Sequence, residues 1–312
     1  MIENLMYFFI AAIILIVCGI YLVKSLTKIS KFLGISEFSL AFIIMAFATS
    51  IPELFIGISS ALNGNPSLSL GNIIGANILN LTLVTGIIIL LSKEIKFDSG
   101  KVGKEIYFML VILAVMIFLF VIGKELSRLD GLILLGLFLI HVYGIFKKRK
   151  KYKAKIKNGR IKISGFYWLI IFLVALVGLF ISSNFAVRYA SLLAVDLNLP
   201  KIIIGLFLLS IATTLPELIF GILASKMKHN EMAIGDQIGS VVVNAAFILG
   251  VVALIHPISA EFIPFLVSAV FMFISAFIFV TFVKSGAKLE RYEGISLILI
   301  YVLFVIVEFF AK

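Results

Sequence analysis

Two glutamates set the chemistry that this sequence can perform. Glu53 ends the string Ala48-Thr49-Ser50-Ile51-Pro52-Glu53, and Glu217 ends Ala212-Thr213-Thr214-Leu215-Pro216-Glu217, each deep in an apolar stretch. An ionisable side chain near the middle of a membrane helix costs on the order of 3 kcal/mol, and normally faces a cavity or a partner. No lysine, arginine or histidine stands inside an apolar stretch to neutralise them, so a proton or a bound cation is the natural partner. Pro52 and Pro216 have no N–H for the carbonyls of Ala48 and Ala212, so both helices are expected to kink or unwind there. Thr49, Ser50, Thr213 and Thr214 add hydroxyls within one turn of the glutamates. Carboxylate, carbonyl and hydroxyl oxygens without sulfur or imidazole suit a hard cation such as calcium.

The two strings belong to a longer repeat. With the offset of the glutamates (217 − 53 = 164), Gly57, Gly71, Gly75, Asn80 and Gly86 fall on Gly221, Gly235, Gly239, Asn244 and Gly250 without a gap. One register held that long indicates an internal duplication. Downstream of each break, Asn72, Ala76 and Asn80 share one helical face, as do Asp236, Ser240 and Asn244. The glycines beside them are expected to admit a neighbouring helix.

Composition sets the class of the elements that position these groups. Hydrophobic residues make up 62% of the 312 residues and charged ones 14%, with a mean hydropathy of +1.21, which excludes a soluble domain of any size. Apolar runs predict an all-α membrane protein of ten transmembrane helices, at roughly 4–23, 36–62, 67–91, 105–123, 129–146, 163–187, 200–225, 231–255, 260–283 and 291–310. Five spans per half, an odd number, force the second half to enter the membrane from the opposite side. The organisation is therefore two inverted five-helix repeats, residues 1–146 and 163–312, joined by a basic cytoplasmic linker at 147–162.

Loop charge tests that topology. With both termini outside, the inner loops hold Lys24, Lys28 and Lys31; Lys93, Lys96, Lys101 and Lys104; ten basic residues from Lys147 to Lys162; Lys226 and Lys228; and Lys284, Lys288 and Arg291. Only Lys124, Arg128, Arg188, Lys201 and Lys312 of the 27 are left outside, as the positive-inside rule asks. The net charge of +11 thus marks cytoplasmic loops and not nucleic-acid binding. The linker can also meet anionic lipid headgroups. Cys18 excludes an intramolecular disulfide, and the first span, without a basic leader or cleavage site, reads as a retained helix. His141, His229 and His256 have no metal-ligand spacing and are expected at interfaces; Glu105, Glu290, Glu293 and Glu308 are expected to be solvated at span ends.

The paired strings, each followed by Gly71-Asn72-x-x-Gly75-Ala76-x-x-x-Asn80 or Gly235-Asp236-x-x-Gly239-Ser240-x-x-x-Asn244, resemble the alpha-repeats of the cation/calcium exchanger superfamily, and most of all its compact prokaryotic sodium/calcium exchangers. The resemblance spans both repeats and, through the ten-span layout, the whole chain. It implies that Glu53 and Glu217 are the central carboxylate ligands, with Thr49 and Thr213 supplying backbone or hydroxyl oxygens. Ala46 and Ser210 would offer backbone carbonyls, Ser50 and Thr214 hydroxyls, and Asn80, Ser240 and Asn244 further polar groups. It also implies alternating access, with the first and sixth spans sliding across a core of the second, third, seventh and eighth. Three positions depart from the family pattern. Ala76 stands where sodium-coupled members usually have serine, Asn244 where many have aspartate, and Asp236 where asparagine is usual. Gly75 and Gly239 stand where proton-coupled members carry glutamate, and aspartate is missing where potassium-dependent members usually have it. Both absences favour sodium as counter-ion.

The expected function is a sodium/calcium antiporter of the cell membrane, a monomer in lipid, with calcium and sodium as transported ions and no cofactor, enzymatic activity or nucleic-acid partner. The alternatives are a proton-coupled or other divalent-cation exchanger, a passive cation channel, and an intramembrane hydrolase. The last lacks a nucleophile partner, a histidine and a zinc motif near the glutamates.

Overall fold

The computed structural model describes residues 2–92, 94–147, 161–196, 209–286 and 288–310. Its helices are α1 (Ile2–Leu33), α2 (Glu37–Thr49), α3 (Ile51–Leu62), α4 (Ser67–Ser92), α5 (Ser99–Gly123), α6 (Arg128–Lys147), α7 (Ile161–Asp196), α8 (Leu209–Lys226), α9 (Asn230–Ile255), α10 (Phe262–Gly286) and α11 (Arg291–Phe310). Among the described residues seven of these, α1, α4, α5, α6, α7, α9 and α10, are long and apolar enough to cross a membrane; the bent pair α2–α3 makes an eighth. The two other predicted spans coincide with α8 and with α11, which carries Arg291, Glu293 and Glu308. Most of the basic linker lies outside the described residues.

Local chemistry starts and stops the helices near the site. Gly34, at φ 66°, ends α1, and the Gly34 and Ile35 N–H groups both return to the Ser30 carbonyl, a glycine C-cap. The Ser36 hydroxyl then caps α2 by accepting from Ser39 N–H at 3.1 Å. Gly64, at φ 71°, closes α3, and Lys228, at φ 66°, takes the equivalent place after α8. Asn65 N–H reaches Ser60 O in the first turn as His229 N–H reaches Ala224 O in the second.

Two helices form the centre. Of their apolar windows 78% is buried in both α4 and α9, against 22–39% for the five other long helices among the described residues. The remaining helices turn residues such as Phe55, Phe118, Ile140, Val174 and Phe277 outward, as lipid-facing surfaces require. Helices α1 and α7 lie side by side and antiparallel: Tyr7 stacks on Tyr189 at 5.0 Å at one end, and Lys28 sits 6.0 Å from the Trp168 ring at the other. Helices α4 and α9, 26 residues each, also cross antiparallel.

Later elements match in length and pair crosswise. Helices α5 and α10 have 25 residues each, and α6 and α11 have 20. Strand β1 (Glu94–Lys96) pairs with β4 (Lys288–Glu290), and β2 (Glu125–Leu126) with β3 (Ile258–Ser259), both antiparallel. On the exposed β1–β4 ribbon the Lys96 ammonium, 2.8 Å away, holds the Glu94 carboxyl below its ordinary range, and Glu290 raises Lys288.

Two sequence expectations are corrected. Glu105 is buried and not solvated: α5 begins at Ser99, ahead of the predicted span, so Glu105 lies inside the helix. His141 faces it at 2.8 Å and stacks on Phe108 at 3.6 Å. Pro216 does not break α8, which is helical throughout its described length. A side chain at Gly71 or Gly75 would meet no described atom within 4 Å; residues 197–208, the stretch that the repeat register sets against them, lie outside the described residues.

Candidate cation-binding site

The first carboxylate sits at a break in the backbone. Helix α2 ends at Thr49, Ser50 leaves the helical region (φ −82°, ψ 7°), and α3 starts at Ile51 with Pro52 in its first turn. The bend is 46°. Pro at the start of a helix removes only an N–H that would be unpaired there, so the break places Glu53 in the first turn of α3. In the second half Glu217 follows Pro216 within the continuous α8. Both glutamates are 1% exposed.

Among the described residues three π-turns flank the site, at Ala41–Met45 in α2, Asn80–Val84 in α4 and Val243–Ile248 in α9. Ala46 follows the first, Asn80 opens the second and Asn244 falls at the start of the third. Such turns free carbonyls from the α-ladder and recur at functional sites. The Thr85 hydroxyl donates to the Asn80 carbonyl at 2.7 Å, which satisfies one of them.

Glu217 lies within electrostatic reach of Glu53, Asp236 and the Thr49 hydroxyl. The same hydroxyl approaches the Met45 and Ala46 carbonyls at 3.1 and 3.3 Å, and Ala46 O also accepts from Ser50 N–H. Ser50, Thr214, Asn80, Ser240 and Asn244 are all buried. Thr213 borders a cleft of about 130 Å³ together with Asn72, Gly75 and Ala76. Ser210 lies in the first turn of α8.

Burial leaves oxygen atoms without protein partners. Ser50 Oγ, Glu53 Oε2, Asn80 Oδ1, Glu217 Oε2, Ser240 Oγ and Asn244 Oδ1 have no hydrogen bond, and no described lysine or arginine pairs with either glutamate. Buried polar groups are ordinarily satisfied, and a buried unpaired carboxylate is costly by several kcal/mol. An all-oxygen set of this kind is what a hard cation satisfies. Among the described residues no three His, Cys, Asp or Glu side chains converge on one point, so the carboxylates here act as a pair.

Asn77 escaped the sequence reading. It is fully buried in α4, and its Oδ1 accepts from Asn244 Nδ2 at 3.1 Å. That bond turns Asn244 Oδ1 away from Asn77 and leaves it unpartnered. The available signal was an amide in an apolar span one position off the predicted polar face.

A wider cavity of about 740 Å³ continues the cleft. It shares Gly71, Gly75 and Phe304 with it and extends to Glu261, Ser268 and Glu308. The Ser268 hydroxyl donates to Glu308 at 3.2 Å. On α9 a Cβ at Gly235 would lie 2.6 Å from the Phe38 carbonyl oxygen, and one at Gly239 would strike the Phe42 carbonyl.

Comparison with known proteins decides the lineage. The family model described as "Sodium/calcium exchanger protein" matches twice, over residues 4–147 and 167–310. The chain belongs to this exchanger family. Within the family it is similar to the protein called sodium/calcium exchanger MaX1 of Methanosarcina acetivorans, 28% identical over 98% of this chain and 99% of that one. It is also similar to the inner membrane protein YrbG of Escherichia coli, 27% identical over 76% and 75%. Among solved structures, the sodium-calcium exchanger NCX_Mj soaked with sodium and strontium superposes with a TM-score of 0.81 at 27% identity, covering 97% of both chains. Membership makes this a multi-pass membrane protein of an antiport family, with the prokaryotic members as its kin.

Proposed function

We propose that the chain is a secondary active antiporter that exchanges sodium for calcium across the cell membrane, with both ions using the Glu53/Glu217 site at different moments. The observation that carries this reading is the buried glutamate pair, each with an unpartnered oxygen and surrounded by unpartnered neutral oxygens. Two carboxylates match the charge of one calcium ion. Bare, they resist burial, so an unloaded site opposes the conformational switch, and this couples the two fluxes. The names of MaX1 and NCX_Mj support the choice of ions.

Ten spans in two inverted five-helix repeats with both termini outside supply the alternating-access frame, the halves being residues 1–146 and 163–312. Antiparallel packing of α1 on α7 and of α4 on α9 supports inversion, as do the crosswise β pairs. Thr49, Ser50, Asn80, Thr213, Thr214, Ser240 and Asn244, with the carbonyls of Ala46 and Ser210, complete the shell near the midplane. The protein works as a monomer in lipid and needs no cofactor.

One observation favours a second reading. Ala76 is buried on the α4 face without a hydroxyl, and Asn244 brings an amide in place of a charge, so a proton or another divalent ion is the alternative partner. Vesicles loaded with sodium and diluted into sodium-free buffer test both. Radioactive calcium uptake that needs the outward sodium gradient supports sodium/calcium exchange. Uptake driven by a pH jump, with potassium-loaded vesicles as control, overturns it in favour of proton coupling.

A further inference from the structure

Asp236 is a third carboxylate in the middle of the protein that the two-glutamate site does not use. It is fully buried. One oxygen, Oδ2, accepts from Gln237 Nε2 at 3.3 Å, while Oδ1 has no partner. That bond commits the Gln237 amide group, whose own Oε1 is also unpartnered. Gln237 reaches α8 one turn beyond Glu217: a Cβ at Gly221 would sit 3.7 Å from its Nε2. Glu217, whose Oε2 also lacks a partner, lies within electrostatic reach of Asp236. No ion pair among the described residues involves Asp236, Glu217 or Glu53.

The three carboxylates do not close on one point, so one ion cannot satisfy them all. A divalent ion between Glu53 and Glu217 would leave Asp236 as an uncompensated charge in a region sealed by the packing of α9 on Phe38 and Phe42, which is costly. We propose that Asp236 Oδ1, Gln237 Oε1 and Glu217 Oε2 form a second subsite, between α8 and α9, that takes a monovalent cation with a preference for oxygen ligands, sodium in the first instance. The subsite belongs to one half only. At the corresponding position of α4 stands Asn72, whose unpartnered atom is the donor Nδ2, and a donor repels a cation. The inference rests on the reading of Glu53 and Glu217 as the principal cation site.

Equilibrium dialysis with sodium-22 on the full-length protein in detergent counts bound ions directly, whether or not calcium is the cargo. Asp236→Asn is expected to bind one sodium ion fewer than the wild type. In vesicles, its half-saturating sodium for calcium uptake should rise by about tenfold or more, the loss of roughly one charge-assisted ligand. Calcium-45 binding in choline chloride should stay within about threefold, a change below ~1 kcal/mol. Gln237→Leu, which keeps the charge and the fold-bearing carboxylate, should weaken sodium binding without changing the count. Equal sodium counts and affinities in wild type and Asp236→Asn overturn the subsite, and so does a proton released on sodium-independent calcium binding that Asp236→Asn abolishes. Failure of the parent reading looks different: the wild type then shows no sodium-driven calcium uptake, while the dialysis still reports on Asp236.

Discussion

At Ser50 the first half of the protein bends by 46° just before Pro52, whereas in the second half α8 passes through Pro216 as one helix, although the glutamate after each proline is 1% exposed. A missing N–H and a ring clash are common to both. In the first half α2 is underwound by a π-turn at Ala41–Met45, one turn before the break; residues 205–208, its counterpart by the repeat register, lie outside the described residues. Proline therefore permits a bend without imposing one. Gly235 and Gly239 are pressed against the α2 carbonyls of Phe38 and Phe42; their counterparts Gly71 and Gly75 border the cleft, and the stretch that the register sets against them lies outside the described residues.

The strongest test of equivalence is chemical. Glu53→Gln and Glu217→Gln should each lower sodium-driven calcium uptake by about 100-fold or more, since each leaves a cation facing one carboxylate in place of two, with the protein still eluting as a folded species. Substantial transport in one of them would show that the two halves do not share the ion. Backbone equivalence comes next. Pro52→Ala restores a donor to the Ala48 carbonyl and relaxes the bend that aims Glu53, so uptake should fall by more than about tenfold, in line with the cost of small misplacements. Pro216→Ala, in a helix that is already continuous, should stay within about twofold; an equal loss would erase the distinction.

Smaller effects sharpen the packing comparison. Gly239→Ala puts a methyl against the Phe42 carbonyl and Ala46 Cβ and should cost about 1–3 kcal/mol of stability, read as a lowered melting temperature in detergent. Lys228→Gly should do the opposite. The left-handed residue after α3 is Gly64, but after α8 it is Lys228, and removing its Cβ penalty should add up to about 1 kcal/mol. No rise in melting temperature would mean that Lys228 makes compensating contacts.

Much of the site was legible because its signals are local. Glu53 and Glu217 stand out in apolar stretches, and the repeat register led from them to Asn80, Ser240 and Asn244, which the fold does bury around them. Asn77 was not legible: its role is a bond to Asn244 on another helix, and nothing in its neighbours distinguishes that from helix packing. The π-turns at Asn80 and Asn244 contain no glycine or proline that would mark them in the sequence. Glu105 misled because the span end drawn from hydropathy stops short of α5, and its contact with His141 at 2.8 Å joins α5 to α6.

By itself the sequence determined the membrane class, the duplication and the paired carboxylates, because hydropathy, register and charge are properties of residues and spacing. Tertiary structure alone decided which proline bends its helix, that the α9 glycines pack on the α2 carbonyls, how the Asn244 amide is turned and that Asp236 is buried with an unpartnered oxygen. Those features depend on atoms from distant segments competing for the same space and the same hydrogen bonds, and a single strand of residues carries no record of that competition.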